Sequence, residues 1–371
     1  MMNLRHCKLL KVCRNHKAPV FTVLFLFLLA SISCKEQEQK HTATRSFYYW
    51  KTRLQFSDKE AQALRQLQIT NLYIKFFDVG LNGSIKEAQP IGKIQMTPAA
   101  IQTLNQLSIS VIPVIFITNE TLLNLQPEQM EPLASRILQL LNEMQAKNRL
   151  PPFREFQIDC DWTQSTKEHY FALLQSIKKK MYAVDLLFRG NAYLSATIRL
   201  HQIKYRMKTG TPPADRGMLM CYNMGNLKRV ATNNSILDLQ EFNSYLKSAG
   251  RYPIPLDIAL PLFDWTVAFR SNQYRGILYN INPHQLPASG KWISNRYFFS
   301  GDTTIEGIDF KQGDRIRIEK SEHKEILQAI SLINKLRITK DSFTLSLFHL
   351  DESILNKHPL YELETYYRSL H

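Results

Sequence analysis

The chain has 371 residues, of which 44% are hydrophobic and 21% charged, so it can bury a large core. Its length corresponds to two domains of average size or to one domain of the size of a barrel. Its 16 Pro and 13 Gly residues are too few for a fibrous or low-complexity protein, and its apolar content excludes wholesale disorder. Of the net charge of +15, residues 1–33 contribute +5, and the remaining +10 is spread along the chain rather than concentrated in one arm. We therefore expect no nucleic-acid partner, although attraction to anionic envelope polymers stays open.

The first 33 residues have the features of an export signal. Residues 1–18 are basic, and the apolar stretch VFTVLFLFLLASIS that follows is shorter than the ~20 residues that a membrane-spanning helix needs. The stretch ends in the segment Ala30-Ser31-Ile32-Ser33-Cys34, which resembles a bacterial lipobox, whose cysteine becomes the lipidated first residue of the mature protein. Leu is usual where Ser31 stands. A plain secretory signal, or an uncleaved anchor with an incidental cysteine, is the alternative.

We predict that residues 1–33 are removed and that Cys34 anchors the protein to a membrane, because several acyl chains hold a membrane stably. Residues 34–45 have nothing to bury and are predicted to form a flexible tether. Lipoproteins retained at the inner membrane usually carry Asp after the cysteine, so Lys35 implies the outer membrane of a Gram-negative bacterium. Cys160 and Cys221, which remain in the body, show neither a disulfide framework nor metal-ligand spacing. We expect no metal and no cofactor.

From residue 46 onward, short apolar runs alternate with amphipathic helical patterns. Eight runs are predicted to be strands: Phe47–Leu54, Asn71–Val79, Val111–Thr118, Glu155–Trp162, Leu194–His201, Met218–Met224, Leu256–Phe263 and Phe343–Leu350. Helix starts are predicted at the capping boxes Ser57–Glu60 and Ser165–Glu168 and at Thr97-Pro98. This alternation indicates parallel strands with helical crossovers, and eight units predict a (β/α)8 TIM barrel over residues 46–371. An open doubly wound sheet is the alternative, but no Gly-rich phosphate turn accompanies it.

The seventh unit departs from this regularity. Between Trp265 and the helix predicted over His323–Leu336 lie about sixty residues, which is long for a loop between a strand and a helix. Arg296–Ile305 and Arg315–Lys320 are predicted to be short strands within this segment. We therefore predict a small β-rich insertion at about residues 266–322. It is either a lid or wall of the active-site cleft or a mere decoration.

The fourth predicted strand carries the candidate catalytic residues. Its alternation places Gln157, Asp159 and Asp161 on the face that lines a barrel lumen, and the apolar residues between them on the face that meets the helices. Two carboxylates in a confined lumen repel each other, which pushes one toward the neutral form that can donate a proton. Alternatively, both carboxylates are ionised and paired with Arg199 or Lys75 as part of the structure.

These residues resemble a motif of the chitinase-like glycoside hydrolases of family 18. Asp159 and Asp161 match the fourth-strand motif D-x-x-D-x-D-x-E, and the segment Met220-Cys221-Tyr222-Asn223 is similar to the Met-x-Tyr-Asp segment of the family's sixth strand. The resemblance covers roughly residues 46–370. It implies a barrel that handles glycans, with Asp159, Asp161 and Tyr222 as catalytic residues and Asn223 as a substrate contact.

The sixth-strand segment has Asn223 in place of the family's Asp, and the fourth-strand motif has two departures, of which one concerns the chemistry. The family's first Asp falls on Phe156, and its catalytic acid, the final Glu, falls on Thr163. In the family that Glu protonates the leaving oxygen while the acetamido group of the substrate attacks the anomeric carbon. A threonine hydroxyl is too weakly acidic for this role, and general acid catalysis is typically worth ~10²–10⁴-fold. Either another residue supplies the acid, or the barrel has lost hydrolysis and keeps recognition.

Other side chains at strand ends are candidates for substrate binding. Asp161 itself, or Asp161 together with another strand-end carboxylate, can provide the acid and base or nucleophile of a two-carboxylate glycosidase. Aromatic rings at the same ends can stack on the C–H faces of sugars. The candidate substrate-binding residues are Asn223, Trp50, Asp264, Trp265, Asp78 and Arg199. We expect a monomer that handles a glycan, either as a hydrolase or as a non-catalytic barrel that binds a glycan or a protein.

Overall fold

The structure is a computed structural model that describes residues 43–82, 87–181, 187–247, 252–279, 281–339 and 342–371. The predicted signal, the lipidation site Cys34 and nearly all of the tether lie outside the described residues. Within the described ranges, no helix combines the length and apolar character that crossing a membrane requires. Cys160 and Cys221 are both free and buried.

Eight parallel strands close into a barrel. Numbered β1 to β8 in chain order, the barrel strands are Thr44–Tyr49, Asn71–Asn82, Ser110–Ile117, Phe153–Asp159, Phe188–Arg199, Arg216–Met220, Leu256–Pro261 and Thr344–Phe348. Each pairs in parallel with its successor, and β8 returns to β1 with Thr344 opposite Thr44. The closed ring confirms the predicted (β/α)8 barrel and excludes the open doubly wound sheet. A short strand, Glu87–Ile91, pairs antiparallel with the end of β2.

Two of the three predicted helix starts are confirmed. Ser57 and Glu60 form the capping box of the first helix, in which each side chain accepts a hydrogen bond from the backbone N–H of the other. The Thr97 hydroxyl oxygen accepts from the backbone N–H of Ala100 at 3.2 Å. The helices of the described chain are Asp58–Gln66, Pro98–Gln106, Asn119–Asn124, Met130–Asn148, Lys167–Met181, Leu200–Lys204, Arg206–Thr209, Leu239–Leu246, His323–Lys335, Glu352–Leu355 and Leu360–Ser369.

The third predicted helix start is wrong in detail. The Ser165 hydroxyl pairs with the Thr163 hydroxyl at 2.8 Å instead of capping the helix. The helix that follows β4 begins at Lys167, whose backbone N–H donates to the Thr163 carbonyl at 3.0 Å. A hydrogen-bonded turn therefore replaces the side-chain cap, and Thr163 belongs to that turn.

The segment between β7 and the helix His323–Lys335 forms a β-structure of its own. Its five-stranded antiparallel sheet has the order Gln273–Leu278, Trp265–Arg270, Arg315–Glu319, Arg296–Phe298 and Lys291–Ile293, and a separate hairpin pairs Thr303–Ile305 with Ile308–Phe310. A small apolar core of its own holds it together, comprising Ala268, Tyr297, Phe299, Ile305, Phe310 and Ile316. The predicted β-rich insertion is therefore present, but the single strand predicted at Arg296–Ile305 is two strands separated by a turn.

A buried carboxyl group lies in the lower part of the lumen, toward the amino end of β4. Glu155 on β4 accepts hydrogen bonds from the hydroxyls of Tyr73 at 3.1 Å, Tyr193 at 2.8 Å and Ser195 at 2.5 Å. Burial disfavours the charged form, and the nearby Asp257 carboxylate adds repulsion. Together they raise the pKa of Glu155 to about 7, although the three hydroxyl donors oppose the shift.

Glu155→Gln should reduce the pH dependence of stability. The pKa of Glu155 rises from 4.5 to about 7 on folding. The protonated carboxyl group therefore stabilises the folded state fully below pH 4.5. This contribution to the free energy of unfolding, about 3 kcal/mol, is lost as the pH rises from 4.5 to about 7. Urea unfolding at pH 5 and pH 8 should show a smaller difference in stability for Glu155→Gln than for the wild type. The exposed Glu128→Gln control should match the wild type, and an unchanged difference in Glu155→Gln would contradict the raised pKa.

Candidate functional site

The candidate catalytic carboxylates lie at the carboxyl end of β4. This strand ends at Asp159, and two residues later the chain presents Asp161 at the mouth of the barrel. Trp162 points the other way and is fully buried, with its ring stacked on Tyr170 of the following helix at 5.0 Å between centroids. The predicted alternation therefore persists beyond the strand, with the carboxylates on the lumen side and the apolar side chains against the helices.

Asp159 is buried and is held by β5. Its side chain is 4% exposed, and the Thr197 hydroxyl donates to Asp159 Oδ1 at 2.6 Å. Burial raises the pKa of Asp159, Arg199 opposes that rise, and Asp161 adds to it. The repulsion between the two carboxylates that the sequence predicts is present, but burial is the larger cause of the raised pKa.

Asp161 forms an ion pair with Arg199 at the end of β5. Arg199 Nε donates to Asp161 Oδ1, and the guanidinium lies 5.9 Å from the centroid of the Tyr222 ring. Burial disfavours the charge of Arg199, but Asp161 and Asp159 outweigh burial and raise the pKa of Arg199. The Asp161 side chain stays 52% exposed while that of Arg199 is 19% exposed. Arg199 therefore contacts Asp161 and Tyr222, two of the three residues predicted as catalytic. The pairing of Asp161 agrees with the structural alternative, whereas Asp159 forms no ion pair within the described chain and has a raised pKa.

Aromatic rings form a continuous cluster across the mouth. Phe348, the last residue of β8, lies at its centre, with ring centroids 5.7 Å from Trp50, 5.4 Å from Tyr222 and 5.9 Å from Phe263. Trp265 extends the cluster beyond Phe263, at 5.2 Å. Tyr222 is 4% exposed, whereas Trp50 and Trp265 are only partly buried. The two tryptophans therefore offer ring surface that a ligand can contact.

The other two candidate carboxylates are each paired with a lysine. Lys75 Nζ lies 3.1 Å from Asp78 Oδ2, and Lys357 Nζ lies 2.7 Å from both carboxylate oxygens of Asp264. Asp78 Oδ1 is buried and makes no hydrogen bond within the described chain. Lys75, which the sequence offers as a partner for Asp159 or Asp161, is therefore bonded to Asp78 instead.

Asn223 and Thr163 contribute uncharged groups at the rim. Asn223 is exposed and has a left-handed backbone with φ of 55°, a conformation that asparagine adopts more readily than most residues. Thr163, which the sequence resemblance aligns with the family's acid, is also exposed. Across the parts of the chain that the structure describes, no group of three His, Cys, Asp or Glu residues could hold a metal ion.

Sequence reasoning missed three residues of this arrangement. Glu155 lies on the same face of β4 as Asp159, so extending the alternation backward by two repeats identifies it. Thr197 and Phe348 belong to other strands. Only the register between strands shows that Thr197 reaches Asp159 and that Phe348 lies among the aromatic rings, and sequence pattern does not supply that register.

Comparisons with known proteins agree on the fold. No family model and no curated protein matches the chain. Among similar solved structures, the spore cortex-lytic enzyme SleL of Bacillus cereus is 15% identical over 90% of this chain and 75% of its own, with a TM-score of 0.53. The chitinase of Chromobacterium violaceum is 12% identical over 88% and 98%, with a TM-score of 0.53. A mutant class V chitinase from Nicotiana tobaccum, in complex with NAG4, is 12% identical over 88% and 99%, with a TM-score of 0.51.

Arg199→Met should lower stability at neutral pH far more than removal of an exposed cation does. It leaves the buried Asp159 beside Asp161 without a counter-charge, which we expect to cost about 3 kcal/mol at pH 7. Lys311→Met, which removes the cation of the exposed pair with Asp302, should change stability little. Urea unfolding measures both. The deficit of Arg199→Met should shrink as the pH falls and Asp159 becomes protonated, and a deficit that stays constant between pH 7 and pH 4 would argue against this role.

At these identities the comparisons establish the architecture and leave the chemistry to the residues of this chain. The expected fold is confirmed: the chain forms a (β/α)8 barrel, and it shares this fold with the spore cortex-lytic enzyme and the chitinase.

Proposed function

We propose that this chain is an envelope-anchored barrel that binds a glycan at its mouth and does not cleave it by the acid mechanism of the chitinase-like enzymes. The observation that carries this proposal is the Asp161–Arg199 ion pair two residues before Thr163. An acid catalyst must bring a proton to the leaving oxygen, whereas the Asp161 carboxylate already accepts a hydrogen bond from Arg199 Nε. The position of the family's acid holds a neutral hydroxyl.

The aromatic cluster supports a glycan as the ligand. Sugars combine apolar C–H faces with hydroxyl groups, so they suit sites in which rings alternate with hydrogen-bonding side chains. At the mouth, Trp50 and Trp265 offer the rings, and Asp161, Arg199 and Asn223 offer charged and amide groups. NAG4 is the natural first probe, because a class V chitinase of similar fold was solved in complex with it.

Hydrolysis with a different acid is the second candidate, and the raised pKa of Asp159 favours it. A carboxyl group with a raised pKa can hold a proton at higher pH and donate it. Asp159 is, however, only 4% exposed, and the Thr197 hydroxyl donates a hydrogen bond to it. Its proton has no direct path to a sugar that rests on the rings above, so the geometry supports binding better than hydrolysis.

Residues 35–371 should bind NAG4 without cleaving it. Trp50→Ala should weaken binding by about tenfold because it removes a stacking ring. Tyr361→Ala, an exposed tyrosine on the last helix, should bind as the wild type does. Calorimetry measures binding, and chromatography of the sugars detects cleavage. If the wild type cleaves NAG4 and Asp161→Asn abolishes that cleavage, the protein is a hydrolase and the proposal of binding without cleavage is wrong. Failure to bind any of NAG4, chitin and peptidoglycan would remove the glycan proposal.

We further propose that Cys34 is lipidated and that Lys35 directs the protein to the outer membrane of a Gram-negative bacterium. This proposal rests on the sequence of residues 1–45 alone. Multiple acyl chains would hold the barrel at the membrane surface, and the polar tether would let its mouth reach a polymer there.

Cys34→Ala should release the full chain from the membrane or leave its signal uncleaved. Expressed in a Gram-negative host, the wild type should partition into detergent and have the mass of residues 34–371 plus acyl groups. Cys13→Ala, which changes another cysteine of the predicted signal, should behave as the wild type does. Lys35→Asp should shift the protein to the inner-membrane fraction. Identical partitioning and mass for the wild type and Cys34→Ala would show that Cys34 is not acylated.

A further inference from the structure

The end of the barrel opposite the mouth carries an excess of cations. We call this end the amino face and define it as the loops that lead into the barrel strands, together with the first two residues of each strand. Within the described residues, its basic side chains are Arg45, Arg149, Arg154, Arg189, Arg216, Lys247 and Arg337. Its acidic residues in the same ranges are Asp215 and Asp257. The segments 182–186, 248–251 and 340–341, which lie outside the described residues, add two acids and two bases to the sequence and leave the excess unchanged.

The acidic groups at this end are already paired. Arg216 Nη2 lies 2.7 Å from Asp257 Oδ1, and Arg45 Nη1 lies 2.6 Å from Glu364 Oε2 on the last helix. Asp215 is bonded to a lysine of a neighbouring helix. Five exposed side chains of the amino face form no ion pair and no hydrogen bond within the described residues: Arg149, Arg154, Arg189, Lys247 and Arg337. The unpaired charge of the amino face is therefore positive.

Helix dipoles explain only part of this bias. Cations suit the carboxyl end of a helix, and the barrel helices end at the amino face. Arg154 and Arg189, however, are the second residues of β4 and β5, so no helix end accounts for them. Arg149 and Arg337 follow helices in the left-handed conformation, with φ of 53° and 48°, where glycine is the usual residue. The fold therefore does not require arginine at these four positions.

Two of the four arginines line a small cleft. Arg154 and Arg189 lie at the starts of neighbouring strands, whose first residues are partners in the register of β4 and β5. Both line a cleft of about 170 Å³, together with Asn105 and Ser108. A guanidinium group binds phosphate oxygens through two parallel hydrogen bonds, and amide and hydroxyl groups can add to these bonds. The cleft therefore suits a phosphodiester group.

The predicted tether joins the barrel at the same end. β1 begins at Thr44, whose backbone N–H donates to the Phe343 carbonyl at 2.9 Å, just before the start of β8. Residues 34–43 precede this strand, and ten residues span at most about 35 Å when extended and ~17 Å as a flexible chain. With Cys34 acylated, as proposed above, the amino face is the end of the barrel nearest to the bilayer.

We propose that the amino face is a membrane-docking surface, which binds the anionic phospholipid headgroups of the bilayer that holds the chain. The unpaired cations, the cleft between two arginines and the attachment point of the tether coincide at this end. Each basic residue near an anionic surface strengthens binding about fivefold. Docking directs the mouth away from the bilayer, toward the glycan that the proposed function assigns to it. The orientation rests on the proposed acyl anchor, whereas the affinity of the amino face for headgroups does not.

The test measures how residues 35–371, which carry no acyl group, bind phospholipid vesicles. At low salt the wild type should sediment with vesicles of phosphatidylglycerol and phosphatidylcholine in equal amounts and much less with pure phosphatidylcholine, and added salt should release it. The amino-face variant, Arg149→Gln/Arg154→Gln/Arg189→Gln/Arg337→Gln, should bind the anionic vesicles on the order of 100-fold more weakly, because it loses four surface cations.

A control variant separates the amino face from the total charge. Lys93→Gln/Lys208→Gln/Lys228→Gln/Lys291→Gln removes four exposed lysines elsewhere and lowers the net charge equally, so it should bind nearly as the wild type does. Urea midpoints near that of the wild type show that both variants are folded. Equal losses in the two variants, or a wild type that ignores anionic vesicles at low salt, would overturn the proposal. So would a wild type that binds soluble polyphosphate through the amino face but binds no vesicle.

Orientation on the vesicle gives a second readout. A fluorophore on Gln106→Cys, at the end of the helix before β3, should transfer energy to a lipid-borne acceptor more efficiently than one on Thr163→Cys at the mouth. Both cysteines of the barrel are buried, so the label goes to the introduced thiol. Equal transfer from the two positions would contradict docking through the amino face. If Cys34 is not acylated but the amino-face variant loses vesicle binding, the docking surface stands and the anchor proposal fails.

Discussion

The pairing of β1 with β8 is the constraint on which the candidate site depends. It converts eight strands into a ring, and since all eight run in the same direction, their carboxyl ends meet at one mouth. Asp161, Arg199, Tyr222 and Phe348 come from four different strand ends, far apart along the chain. Nothing local brings them together, so their contacts exist only because the ring closes.

Closure also explains why the charges of the lumen occur in neutralised groups. Removing water from a charge costs free energy unless hydrogen bonds or an opposite charge replace it. Near the floor, three hydroxyls surround Glu155, and Arg216 holds Asp257 with two hydrogen bonds, at 2.9 and 2.7 Å. At the mouth, Arg199 donates a hydrogen bond to Asp161, and its charge also acts on Asp159, which the Thr197 hydroxyl holds. The upper group opens to solvent through Asp161, whose side chain is 52% exposed, so a ligand at the mouth can reach it.

The strands and the faces of β4 could be predicted because both follow from periodic patterns. Apolar runs between helix caps located all eight barrel strands, and alternation placed Asp159 and Asp161 in the lumen. Strand ends were less predictable: β1 is Thr44–Tyr49 rather than Phe47–Leu54, since its start is set by the hydrogen bond from Thr44 N–H to the Phe343 carbonyl. The partner of Asp161 stayed open for a related reason. Arg199 and Lys75 both suit its charge, and only the register between strands decides between them.

The insertion was predictable in composition but not in its role, and its buried polar contacts bear on that role. The Trp265 indole N–H donates to Glu319 Oε2 at 2.8 Å, and the same oxygen accepts from the Ser235 backbone N–H at 2.8 Å. Arg317, 1% exposed, donates to the carbonyls of Arg229 at 2.9 Å and Leu227 at 3.1 Å. Ser235, Arg229 and Leu227 belong to the loop that follows β6. An insertion that merely lay on the surface of the barrel would not need these buried hydrogen bonds to the loop.

These bonds tie the insertion to the loop that carries Asn223, so the two move as one wall beside the aromatic cluster. Separating the insertion from the loop would leave buried N–H groups of Arg317 without their carbonyl acceptors, which makes independent motion of the insertion costly. The wall therefore has a fixed position relative to Trp265, whose ring extends the aromatic cluster of the mouth.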